Sequence, residues 1–253
     1  MTAASRRPSV GAVIQVRMGS TRLPGKALLP AAGKPLLQHL IERLQRAALV
    51  DRVIVATTTN VEDDAVEALA LRVGAGCHRG SVDDVLGRVA GALQAFDIDV
   101  HVEIHGDGPL ADWRLVDRAV RAYLEGGWDL VTNAARVTYP PGLELWVYSA
   151  VLCGRLASEA TDATYRDSPA LYVMERPAEF AILNLEAPPE LHAPDTYIEV
   201  DEPEDYEVMK TIIERLYPAN PAFLIEDVLA LVSLEPELAE RNRGVVRRWK
   251  TAQ

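Results

Sequence analysis

The sequence predicts an α/β protein built on a mostly parallel, doubly wound, Rossmann-like sheet, and three observations carry that prediction. Short apolar runs alternate with segments of helical spacing, the pattern of repeated strand–helix–strand units with right-handed crossovers. The first apolar run opens into a loop of glycines, hydroxyls and cations, residues 17–26. Carboxylates then recur just past later apolar runs, where open α/β sheets bind ligands.

Val10 to Val16 reads as a buried parallel strand. The loop after it holds Gly19 and Gly25, Ser20 and Thr21, Arg17 and Arg22, and Lys26 within ten residues. Glycines let backbone N–H groups approach phosphate oxygens closely, and the cations offset the charge. Leu36, Leu37, Leu40, Ile41, Leu44, Ala47 and Ala48 fall at helical spacing after Pro35, so residues 36–48 form the first crossover helix. Residues 53–58 form a second buried strand, and a helix runs over 62–73. The passage 74–80 is rich in turn residues and holds a short strand at most, and Ser81 caps a helix beginning Val82-Asp83-Asp84. Residues 99–104 form the next strand and deliver His105-Gly106-Asp107-Gly108-Pro109-Leu110. A helix follows over 113–124, then the apolar stretch 129–133.

Beyond residue 135 the pattern changes. Tyr139-Pro140-Pro141-Gly142 is a sharp turn, 143–148 reads as a strand of another kind, and 149–159 as a helix. Residues 161–169 are irregular, 171–176 are a short helical piece, and 180–186 look like an edge strand. Tyr197-Ile198-Glu199-Val200 returns to the sheet and delivers Asp201 at the head of a strong helix through Met209 to Leu216, ended by Pro218 and Pro221. Helices over 226–232 and 236–243 close the chain before a basic tail that includes Arg247, Arg248 and Lys250. With no repeat or linker, residues 1–253 read as one domain, and about 136–196 as a small inserted arm for acceptor binding or dimerisation.

At 253 residues the chain can bury one sizeable core. Its net charge of −11 argues against a nucleic-acid surface, so cations for a polyanion must be concentrated in one place. Cys77 and Cys153 stand far apart without metal-ligand spacing, as in a reducing cytoplasm. No run reaches transmembrane length, no apolar stretch after Arg6 and Arg7 makes a signal peptide, and residues 1–9 are expected to be a loose leader.

Three clusters carry the chemistry. In the opening loop, Arg17 and Arg22 could clamp a triphosphate bidentately with Lys26 as a point charge, while Gly19, Ser20 and Thr21 supply further donors. The spacing differs from that of a P-loop, which argues against an ATPase of that kind. Asp107, between two glycines at a strand end, is placed either to ligate Mg²⁺ or to make a turn, and Asp201 either to ligate Mg²⁺ or to cap its helix. Together they supply part of the hard oxygen set that Mg²⁺ takes. His105 could bond a nucleoside, and Arg79, Ser81, Asp83, Asp84 and Arg88 form either a second contact edge or a solvated helix start. No Ser/His/Asp set is present.

These motifs resemble the cytidylyltransferases related to the spore-coat polysaccharide protein SpsF and to the CMP-Kdo and CMP-sialate synthetases. The matching pieces are Gln15-Val-Arg-Met-Gly-Ser-Thr-Arg-Leu-Pro-Gly-Lys26, Val55-Ala-Thr-Thr-Thr-Asn60, Arg79-Gly-Ser-Val-Asp-Asp-Val-Leu-Gly-Arg88, Gly106-Asp107-x-Pro-Leu110, Thr138-Tyr-Pro-x-Gly-Leu143 and Val200-Asp-Glu-Pro-Glu-Asp205. The resemblance implies a fold of the nucleotide-diphospho-sugar-transferase type and transfer of CMP from CTP to a small acidic acceptor, with release of pyrophosphate. It also implies that Gln15 and the loop residues hold the nucleotide, with Arg17, Arg22 and Lys26 on the triphosphate. Asp107 and Asp201 would bind Mg²⁺, and the 79–88 stretch with Thr58 would form part of the nucleoside pocket, Arg79, Ser81, Asp84 and His105 included. Base choice is expected to rest largely on backbone contacts, which leaves another nucleotidylyltransferase, or a silent nucleotide-binding scaffold, as the alternatives.

The chain departs from the family pattern in three places. Thr-Gly-Asp-Cys-Pro-Leu reads His105-Gly-Asp-Gly-Pro-Leu110, Arg-x-Thr-Val-Asp reads Tyr197-Ile-Glu-Val-Asp201, and Arg-Glu-His is replaced by Arg166-Asp167-Ser168. The triphosphate and metal sets survive while the acceptor side has changed. A phosphonate therefore stands beside a 2-keto-3-deoxy sugar acid as the expected acceptor, and a homodimer is left open.

Overall fold

Strand β1 (Val10–Gln15) is an interior strand of the sheet, and its alternation decides which layer each side chain enters. Val10, Ala12 and Ile14 pack into one apolar cluster, and Val13 into the cluster on the opposite face. The computed structural model describes residues 6–247, so Met1–Ser5 and the basic residues Arg248 and Lys250 lie outside the described residues.

After β1, a loop leads through a 3-10 turn (Lys26–Leu28) to the small hairpin β2 (Pro30–Ala31) and β3 (Lys34–Pro35). Helix α1 (Leu36–Leu44), strand β4 (Arg52–Thr58), helix α2 (Asp64–Arg72), strand β5 (Gly76–Gly80), helix α3 (Val85–Ala95), strand β6 (Val100–His105) and helix α4 (Trp113–Glu125) complete the regular alternation. Next come β7 (Leu130–Thr132), β8 (Trp146–Ser149), α5 (Ala150–Glu159), α6 (Ala163–Asp167), α7 (Pro169–Met174) and β9 (Ile182–Asn184). Helices α8 (Pro203–Leu216), α9 (Ile225–Leu234) and α10 (Pro236–Glu240) close the chain.

The seven-stranded sheet has the order β5-β4-β1-β6-β8-β7-β9. All neighbours pair in parallel except β8, which runs antiparallel to both β6 and β7. Helices α1, α2, α4 and α8 cover one face, with Leu37, Leu40, Val116 and Ile212 in its core. Helices α3, α5 and α7 cover the other, with Leu86, Leu156 and Val173. Two covered faces explain the near-continuous apolar runs of the parallel strands.

The predicted elements are found with shifted bounds, and five readings need correction. Residues 197–200 are extended but join no sheet: Ile198 N–H donates to Pro141 O and Val200 N–H to Asp107 O, both loop carbonyls. Helix α3 starts at Val85, because the Asp84 carboxylate accepts from Gly87 N–H, while the Ser81 hydroxyl accepts from Asp83 N–H in a turn ahead of it. The stretch read as irregular contains α6, capped by Asp162. The first helix ends at Leu44, short of Ala48. Residues 6–9 are not loose: Arg6 and Ser9 N–H bond the Asp99 carboxylate, and Ser9 O accepts from Val100 N–H.

Candidate active site

The loop after β1 is shaped by a residue that the sequence did not single out. Asp63, fully buried at the start of α2, accepts from Met18 N–H at 2.7 Å and from the backbone N–H and hydroxyl of Thr58. Met18 O in turn accepts from Ser20 N–H and Gly25 N–H, which closes the loop on itself. Gly25 adopts φ +73°, a left-handed conformation that costs glycine little, and the chain then turns into the Lys26 helix start.

Two further loops meet that one. A Cβ on Gly108 would collide with Gly142 O, and Gly142, at φ +109°, packs directly on Ile198 and Glu199. These close approaches let 198–200 bond both the 107 and 141 loops, and so bring Asp201 beside Asp107 although they are far apart in the chain. Capping does not account for Asp201. Glu202 is the N-cap of α8, and it is Asp205 that accepts from the backbone N–H groups of Asp201 and Glu202.

Lys26 stands between the two carboxylates. Its ammonium donates to Val200 O at 2.7 Å and to Asp201 Oδ1 at 2.8 Å, and lies 3.6 Å from Asp107 Oδ2. Arg22 Nη2 approaches the other Asp201 oxygen at 2.7 Å. Burial acts to raise the Asp201 carboxyl, but the Lys26 ammonium and the Arg22 guanidinium outweigh it and hold the group below the ordinary carboxylate range.

A cleft of about 370 Å³ opens over this cluster. Ten predicted site residues line it together: Gln15, Arg17, Gly19, Ser20, Thr21, Arg22, Lys26, His105, Asp107 and Asp201. Four others are not among its lining residues. Thr58 is buried against Asp63; Arg79 is held by Asp64, Glu67, Thr58 O and Asn60 O; Ser81 makes a turn; Asp84 caps α3 and pairs with Arg166 at 2.5 Å. Arg79 is thus neutralised by two acids of α2, a tertiary pairing that its own motif does not reveal.

Val85, Arg88, Asp167 and Ser168 line the cleft too; the resemblance puts the first two within the 79–88 nucleoside stretch and the last two in the segment that departs from the family pattern. Asp167 and Ser168 come from the stretch 136–196 that the sequence suggests as an inserted arm, but that stretch is built into the fold: β8 and β9 are strands of the main sheet, and α5 and α7 cover one of its faces. His105 lies with its ring on Trp146, centroids 4.8 Å apart, and with Nε2 3.5 Å from the buried Glu103 carboxylate, which accepts from Tyr148 O–H. Burial pulls the His105 imidazole down, but Glu103, Asp107 and Glu144 together hold it up at about 9. Three cleft-lining residues bury nitrogen donors that have no partner: Gln15 Nε2, Arg22 Nη1 and Arg88 Nε. Unpaired buried donors are costly.

The family profile for cytidylyltransferases matches residues 12–228. This chain belongs to the cytidylyltransferase family. It is 31% identical to the spore coat polysaccharide biosynthesis protein SpsF of Bacillus subtilis, over 92% of this chain and 97% of that one. It superposes on a cytidylyltransferase from Leptospira borgpetersenii with a TM-score of 0.88 at 29% identity, covering 95% and 100% of the two chains. A CMP:2-keto-3-deoxy-manno-octonic acid synthetase complexed with CTP shares the fold, with a TM-score of 0.64 at 20% identity over 82% and 99%. The protein is thus a CTP-dependent nucleotidyltransferase of Rossmann-like fold. No helix among the described residues is long and apolar enough to cross a membrane.

Proposed function

We propose that the cleft binds CTP and transfers CMP to a small acidic acceptor, a 2-keto-3-deoxy sugar acid or a phosphonate. The observation that carries this reading is the convergence of Lys26, Arg22, Asp107 and Asp201 at one end of a cleft with unpaired donors along its wall.

The donor set fits Mg²⁺. Asp107 and Asp201 already share one cation, the Lys26 ammonium, and both offer carboxylate oxygens. Two carboxylates would leave coordination positions for phosphate and water, as Mg²⁺ prefers. When bound there, Mg²⁺ would neutralise charge on the phosphate oxygens.

In this reading the triphosphate draws Lys26 and Arg22 away from Asp201, and Arg17, whose guanidinium donates to Val82 O at 3.0 Å, turns to it as well. An acceptor oxygen forms a bond to the α-phosphorus in line while the bond from that phosphorus to the pyrophosphate oxygen breaks. With a sugar acid the attacking hydroxyl gives up its proton to solvent, whereas a phosphonate attacks through an oxyanion and has no proton to lose. Lys26 and Arg22 stabilise the negative charge that develops on the departing pyrophosphate. Asp167 and Ser168 bring the α6–α7 segment to the cleft, so we assign that segment to the acceptor side. The two cysteines are unpaired, which suits a cytoplasmic enzyme.

Pyrophosphate release from each of the four nucleoside triphosphates, against a panel of sugar acids and phosphonates, tests the reading. Release with CTP and one acidic acceptor supports it. Release that requires a neutral acceptor would exclude it.

A further inference from the structure

The segment leading to Asp201 departs from the family pattern at two positions, Tyr197 for Arg and Glu199 for Thr, and neither is among the residues that line the cleft. Both are buried, and both meet Arg247, which follows α10. The guanidinium lies 4.7 Å from the Tyr197 ring centroid, and its Nη1 lies 3.3 Å from Glu199 Oε1. Where the family pattern has an arginine inside the segment, this chain brings one to it from position 247.

The same guanidinium forks onto Asp205. Nη1 donates to Asp205 Oδ2 at 2.9 Å and Nη2 to Oδ1 at 2.6 Å, two parallel bonds that fix the plane of the carboxylate. Asn242, also past α10, donates from Nδ2 to Oδ1 at 2.9 Å and to Tyr197 O at 3.2 Å. The orientation matters because Oδ2 is the atom that accepts from the N–H groups of both Asp201 and Glu202, at 3.0 and 2.9 Å.

Arg247 is 3% exposed and Asp205 is fully buried, so the path from the segment after α10 to the Asp201 backbone is shielded from water. A bidentate, charge-assisted pair in such surroundings is a rigid element. Arg247 grips the chain on both sides of Asp201, at Tyr197 and Glu199 before it and at Asp205 after it. The Asp201 side chain is left to meet Lys26 and Arg22 at the cleft.

We propose that Arg247 is a positioning residue for the reaction: acting through Asp205, it holds the Asp201 carboxylate where the cation of the cleft is bound. Tyr197 and Glu199 belong to the same clamp, behind the site. A carboxylate that binds a metal depends on the groups that orient it, and losing one of them commonly costs about ten- to hundredfold in metal affinity. The proposal rests on the reading of Asp201 as a metal-binding carboxylate given above.

The test measures Mn²⁺ binding to the enzyme–CTP complex by electron paramagnetic resonance, and CTP binding without metal by calorimetry, in the full chain. Arg247→Lys keeps the charge and loses the fork. It is expected to weaken Mn²⁺ binding about tenfold and to broaden the bound-Mn²⁺ spectrum, with metal-free CTP affinity nearly unchanged. Where Arg247→Lys does not fold, Asn242→Ala, which removes one bond to the Asp205 carboxylate, is expected to weaken Mn²⁺ binding several-fold. A folded variant that loses stability but binds Mn²⁺ as the wild type does would overturn the positioning role. Wild-type Mn²⁺ affinity in Asp201→Asn would instead overturn the metal role of Asp201 itself.

Discussion

The Lys26 ammonium donates to Asp201 Oδ1 at 2.8 Å, so a cation from the opening loop neutralises a carboxylate delivered from the far end of the chain. In the proposed reaction Lys26 trades this partner for the triphosphate. Lys26→Ala is expected to lower kcat by about 10²–10³-fold, the usual loss when one preorganised transition-state donor is removed. Steady-state kinetics with saturating CTP check this, and a change confined to KM would assign Lys26 to ground-state binding alone.

Asp205 holds the Asp201 loop in place. Its carboxylate is fully buried, accepts from the backbone N–H groups of Asp201 and Glu202, and pairs with the buried Arg247 at 2.6 Å and with Asn242 at 2.9 Å. Removing Asp205 leaves the buried Arg247 with Glu199, 3.3 Å away, as its remaining counter-charge, and leaves the Asp201 and Glu202 N–H groups and Asn242 without their acceptor. Asp205→Ala is expected to cost about 3–5 kcal/mol of stability, measured by urea denaturation.

His101 makes the fold sensitive to acid. It is fully buried on β6, edge-on to Tyr148, with both ring nitrogens lacking partners. Burial pushes its imidazole down to about 4, with only the Glu103 carboxylate opposing. Between the unfolded value of 6.5 and the folded value, the unfolded chain takes up a proton that the native one refuses. Stability therefore falls as pH drops through that window, by up to about 3 kcal/mol from this residue. His101→Phe, which keeps the edge-on ring contact, is expected to remove most of that slope in denaturation curves taken between pH 7 and pH 4.5.

Arg166 anchors the α6–α7 segment, the part of the predicted arm that reaches the cleft. It pairs with Asp84 at the head of α3 and donates to Ala157 O and Ala160 O at the end of α5, just before Asp167 and Ser168 reach the cleft. Arg166→Ala is expected to raise the acceptor KM several-fold while leaving the KM for CTP nearly unchanged. Equal shifts in both would assign the arm to the nucleotide.

Much of this was legible in the sequence for physical reasons. Strands buried on both faces read as apolar runs, so β1, β4 and β6 stand out, and the crowding of Gly, Arg and Lys marks the 17–26 loop, which the structure puts at the cleft. Asp107 and Asp201 were found because carboxylates at loop starts are conspicuous, although only the structure separates Asp201 from capping. Asp63 and Arg88 were harder to identify, because each looks like an ordinary helix-start residue until its partners, or their lack, are seen. Arg79 misled because α2 supplies its counter-charges through tertiary contact. Residues 197–200 alternate like a strand, yet their N–H groups serve two loop carbonyls, and hydropathy does not distinguish the two fates.

The most direct test of the central claim is pyrophosphate release from CTP with an acidic acceptor, measured with Mg²⁺ present and with it chelated, in wild-type protein and in Asp107→Asn. Release that depends on Mg²⁺ in the wild type and is nearly abolished in Asp107→Asn is the predicted result. Asp107→Asn turning over at the wild-type rate, or wild-type turnover undiminished by chelation, would contradict it.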